Sequence, residues 1–110
     1  MTPMDPSPPE PVARALEAAN ANDIEAFLAA FVDNGVVDDW GREFTGAVQI
    51  RSWSDREFIG KRVTLDVRGV EHKGDETVVL AEVGGDGFNG PSHFSFLVAG
   101  DRVSRMTIRQ

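Results

Sequence analysis

The chain has 110 residues, 41% hydrophobic and 26% charged, the composition of a single globular domain with room for one core and not two. Eighteen acidic residues against eleven basic ones leave a formal net charge of -7, so a nucleic-acid backbone or an anionic bilayer would be repelled. There are no cysteines, which removes disulfides, thiolate zinc sites and a cysteine nucleophile together, and no apolar run approaches the ~20 residues of a membrane span.

The first nine residues hold four of the six prolines and almost no apolar content, which predicts a disordered tail over 1–9 ahead of one domain over 10–110. This start lacks the basic and apolar regions of a secretory signal, so a cytoplasmic location is expected. Val12, Leu16 and Ala19 then recur at helical spacing behind Pro11, predicting a helix over 11–20. After a break at Asn20–Asp23 a second helix is expected to start on Asn22 as N-cap, with Glu25 three residues on. Ile24, Phe27, Leu28 and Phe31 give it one apolar face, and Asn34-Gly35 should end it.

Val36 to Trp40 reads as a short strand running into a turn at Gly41. A third helix should follow Thr45-Gly46, with Ala47, Ile50, Trp53 and Phe58 as its apolar positions, and stop near Gly60. From there the period changes to two. Strands are predicted over 62–72, 77–83, 92–98 and 102–109, turning at Lys73–Asp75, through the glycine-rich run 84–91, and at Gly100-Asp101. Helix, helix, strand, helix and then strands joined by turns is the α+β order: helices on one face of an antiparallel sheet.

Three stretches carry a resemblance to a known family. They are Ala18 to Phe31, Val36 to Gly41 followed by Gly46 and Ile50 to Trp53, and Phe94 to Val103, which together with their spacing cover about 11–109. They resemble the SnoaL-like branch of the nuclear-transport-factor-2-like (NTF2-like) superfamily, which includes ketosteroid isomerase. That resemblance implies three N-terminal helices in the concave face of a curved, mainly antiparallel sheet, a cone-shaped α+β barrel around an apolar pocket. It also implies a homodimer, which outward-facing Val78 and Leu80 would serve.

Of Asp38 and Asp39 only one can face the pocket, because neighbouring strand side chains point to opposite faces, and the resemblance favours Asp39 as general base. Partial burial beside Trp40 would penalise its charge and suit it to proton abstraction. The competing reading makes Asp38 to Gly41 a polar turn. His93 is the candidate acid or water-orienting partner. Trp40, Trp53, Phe27, Phe58 and Phe94 are the candidate pocket wall for a small hydrophobic ligand, and the glycine-rich loop 84–90 its mobile rim. His72 and His93 lack any metal-ligand spacing, so neither metal nor cofactor is expected. The chain has no tyrosine, and the position matching the isomerase oxyanion donor is Ala15, which argues against ketosteroid isomerisation. Two functions remain: acid/base isomerase, cyclase or dehydratase chemistry on an apolar substrate, and a non-catalytic ligand-binding or dimerisation module.

Overall fold

The computed structural model describes residues 8–110, so most of the proline-rich segment lies outside the described residues, while Pro9 closes the first helix as its N-cap. The chain runs α1 (Glu10–Asn20), α2 (Ile24–Ala29), β1 (Phe31–Asp39), β2 (Arg42–Thr45), α3 (Gly46–Glu57), a 3-10 turn (Ile59–Lys61), β3 (Thr64–Lys73), β4 (Glu76–Gly84), β5 (Gly90–Ala99) and β6 (Arg102–Arg109). No helix among the described residues is long and apolar enough to cross a membrane.

α1 buries Val12, Ala15, Leu16, Ala18 and Ala19 along one stripe. Its last residue ties it to the sheet: Asn20 Nδ2 donates to Leu65 O at 3.0 Å, and Leu65 N donates back to Asn20 Oδ1 at 2.6 Å. The α2 cap is Asp23, whose Oδ1 accepts from Ala26 N at 3.1 Å, and not Asn22. Asn22 takes the left-handed conformation (φ 54°) that asparagine tolerates, with its amide donating to Ala19 O and Val63 O.

The largest departure from the sequence reading is that α2 stops at Ala29 and Phe31 already opens a nine-residue strand. Phe31 is buried either way, since an apolar ring at the seventh helical position also suits the inward face of a strand. Ala30 O accepts from Val103 N at 2.7 Å, which draws the chain out of the helix and onto β6. The register then slips between Phe31 and Val36, and a Cβ at Gly35 would meet the Phe31 ring at 3.0 Å, so this irregular stretch needs glycine there.

The six-stranded sheet has the order β2-β1-β6-β5-β4-β3, with β1 parallel to β6 and every other pair antiparallel. The sheet is mainly antiparallel as expected, with one parallel pair, but it is open rather than closed into the expected barrel, because edge strands β2 and β3 do not pair. Inward residues Val37, Val79, Ala81, Phe94, Phe96, Met106 and Ile108 meet the helices in a single core with Phe27, Ile50, Trp53 and Phe58. Alternation sends Val78 and Leu80 to the other face, where Val78 pairs with Ser95 and Leu80 with His93.

Candidate functional site

β1 and β2 meet in a two-residue hairpin loop, since Asp39 pairs with Arg42 and only Trp40 and Gly41 lie between them. Both have positive φ, 56° and 90°, the signature of a type I′ turn, whose usual occupants are Asn-Gly. Trp40 N donates to Ile108 O at 3.3 Å, which holds this corner over the end of β6. A tryptophan in the left-handed region is costly, and the residue stays 59% exposed at the mouth of a pocket. Trp40→Asn should therefore raise stability by about 1 kcal/mol in urea unfolding, the steric cost relieved. A loss of stability would show that the ring is retained for packing instead.

The pocket has a volume of about 380 Å³. Its floor consists of Trp53, Phe58, Val83, Ser92, Phe94 and Ile108, all buried. Trp53 comes from the buried face of α3 and stacks on Phe58 at 4.9 Å between ring centroids, and Phe94 stands 6.4 Å from Phe58. The mouth carries Trp40, Arg42, Arg56, Lys61, Gly87 and Phe88. The loop between β4 and β5 forms the rim: Asp86 N donates to Lys61 O at 2.7 Å, Arg62 Nε donates to Asp86 Oδ2 at 2.8 Å, and Asn89 Nδ2 donates to Gly85 O and Gly87 O.

Asp39 lies on the pocket side of β1, in register with inward Ile108. Its Oδ2 accepts from Trp53 Nε1 at 3.0 Å and from Arg42 Nη2 at 2.6 Å, while Oδ1 has no hydrogen-bond partner among the described residues. The carboxylate expected to lie partly buried beside Trp40 is thus anchored on one oxygen and free of hydrogen bonds on the other among the described residues. Arg42 also grips Glu57 with both terminal nitrogens, at 2.9 and 2.7 Å, and this bond holds the Glu57 carboxyl below its ordinary range against the opposing effect of burial, with help from the nearby Arg56 charge.

Asp38 points the other way. Its carboxylate, 6% exposed as a residue, accepts from Arg109 at 3.1 Å, Arg105 at 2.8 Å and the Gly41 amide at 2.7 Å. It is the clamp that joins the β1–β2 turn to β6.

His93 does not reach Asp39. On β5 it sits between inward Ser92 and Phe94, so alternation turns it to the outer face, where it is exposed and pairs with Arg109. His72 is exposed near the far end of β3. Phe27 is a core residue 5.5 Å from Phe58 and does not line the pocket, and Ala15 is buried in α1. Sequence reasoning passed over Arg42, Glu57, Lys61 and Ser92. A tight turn after Asp39 was a usable signal for Arg42, because a two-residue hairpin loop sets the residues on either side of it opposite each other.

No protein-family model matches the chain, nor does any curated protein. Solved structures do. A candidate polyketide cyclase from Sinorhizobium meliloti superposes with a TM-score of 0.80 at 25% identity, over 93% of this chain and 95% of that one. A hypothetical protein of ketosteroid isomerase-like fold from Catenulispora acidiphila, in complex with trimethylamine, gives 0.79 at 21% identity over 94% and 87%. An NTF2-like protein of unknown function from Cytophaga hutchinsonii gives 0.75 at 11% over 90% and 85%.

Proposed function

We propose that this SnoaL-like, NTF2-like domain binds a small hydrophobic molecule in the pocket between α3 and the sheet, and that Asp39 draws a proton from it. The observation that carries this reading is Asp39 itself, with Oδ2 fixed by Trp53 and Arg42 and Oδ1 unpartnered at an apolar, aromatic-walled cavity. Fixing one oxygen sets the orientation of the other, which is what proton transfer over hydrogen-bond distance requires. Arg56, Lys61 and the Ser92 hydroxyl are the polar groups around the same cavity that can face a developing negative charge.

2-Tetralone is a suitable probe, being apolar, bicyclic and acidic at C1. Base catalysis moves the C1 proton to Asp39 Oδ1 and leaves an enolate; the carboxyl exchanges its proton with D2O and returns a deuteron to carbon. Wild type should bind tetralone and speed deuterium incorporation, followed by NMR, while Asp39→Asn should lose about 100-fold of that rate. The same variant should lose about 1 kcal/mol of stability, because Arg42 and the Trp53 N–H then face a neutral acceptor. Equal exchange by both proteins would remove Asp39 as base. Binding with no exchange by wild type would favour the second reading, a non-catalytic binding module, to which the absence of tyrosine already points.

A further inference from the structure

The charges around the pocket are unequal and unequally used. Five ionisable side chains line it: Asp39 and Glu57 against Arg42, Arg56 and Lys61, three cations less two anions, or +1 in a chain of formal charge -7. Arg42 is fully committed, gripping Asp39 and both oxygens of Glu57. The other two cations are not. Arg56 donates to the Ser52 hydroxyl and to no carboxylate, and Lys61 makes no side-chain hydrogen bond or ion pair among the described residues. The nearest acid on the rim loop, Asp86, is itself held by Arg62 at 2.8 Å. The Lys61 stem lies along that loop, for a Cβ on Gly87 would come within 3.3 Å of Lys61 Cβ and Cγ, and this seats its ammonium at the mouth.

An apolar floor beneath two cations with spare donors matches one kind of guest. We infer that the ligand of this pocket is an amphiphilic oxyanion, whose hydrophobic body packs on Trp53, Phe58 and Phe94 and whose anionic head sits between Arg56 and Lys61. An ammonium head would meet two carboxylates that already share Arg42, and would be repelled by the two remaining cations. The inference rests on the pocket being the ligand site.

Isothermal titration with three molecules of one ring system separates the two ideas: 2-naphthoate, methyl 2-naphthoate and 2-naphthylmethylammonium. At pH 7 and low salt the acid should bind about tenfold tighter than the ester, and the ammonium weakest. In 0.5 M NaCl that advantage should shrink towards parity. Lys61→Gln and Arg56→Gln should each lower naphthoate affinity several-fold and leave ester affinity unchanged, with the double variant binding acid and ester alike. Far-UV circular dichroism checks that both exposed substitutions leave the fold intact. If the ester binds as tightly as the acid, or the ammonium binds best, the oxyanion inference is overturned while the pocket stands. If none of the three binds, both fall.

Discussion

Replacing Trp53 by alanine should destabilise the protein by about 3–5 kcal/mol, the usual cost of emptying a buried aromatic site that cannot collapse. The residue is 1% exposed, stacks on Phe58 at 4.9 Å with 24° between planes, and lies 6.1 Å from Phe44 on β2. It therefore joins α3 to the β1–β2 hairpin as well as filling the core. Alanine would also leave Asp39 Oδ2 without the indole donor, so the carboxylate would lose one of its two fixed directions. Trp53→Phe keeps a ring against Phe58 and removes chiefly that donor and some volume, and should cost about half as much. Urea unfolding followed by far-UV circular dichroism measures both. Since a domain of this size holds only about 5–15 kcal/mol in all, Trp53→Ala should fall near the limit of folding at 37 °C. A loss under about 1 kcal/mol would mean that the ring is not the keystone its burial implies.

What could be read in advance from the sequence was whatever local chemistry decides. The last strand was expected over 102–109 and runs Arg102–Arg109, because Gly100-Asp101 makes a sharp turn and the alternation beyond it is unambiguous. α3 begins at Gly46, within one residue of the start expected after Thr45-Gly46. What failed depended on distant partners. Phe31 fits a helix face and a strand face equally, and only its pairing with Val103 on β6, some seventy residues away, decides between them. The short strand β2 has a mixed polar sequence, Arg-Glu-Phe-Thr, with no periodic signal of its own; the hairpin it forms with β1 makes it a strand. At the site, period-two alternation separated Asp38 from Asp39 but did not fix which faced inward. The same rule, applied from Phe94, would have turned His93 outward. Arg42 and Lys61 read as ordinary solvated bases, since nothing in one dimension shows that the first is committed to two carboxylates and the second to none.

Asp38→Ala should cost about 2–3 kcal/mol, the larger part of it from leaving the Gly41 amide and two arginines short of an acceptor. Arg105 would keep Glu43 at 2.7 Å, but Arg109 would keep only backbone carbonyls, and the side-chain tie that reinforces the β1–β6 pairing would go. Asp38→Asn retains an acceptor for Gly41 and loses the charge, so it should cost less. The two variants also differ from wild type in their response to pH. The Arg109 hydrogen bond, opposed by burial and aided by the Gly41 amide, the Arg109 charge and Arg105, holds the Asp38 carboxyl below the ordinary aspartate range. The folded state thus favours the ionised form more than the unfolded chain does. That stabilisation is fully present above the unfolded value, about 4, and is lost as pH falls through the lower folded value. Neither variant has this group to lose. The gap between wild type and Asp38→Asn in urea unfolding should accordingly be widest at pH 7 and narrow by pH 2–3. Glu57 and Asp86, also held low by arginines, respond in the same direction in all three proteins and cancel from the difference. A gap that stays constant, or widens in acid, would show that Asp38 supports the turn through its shape and not through its charge.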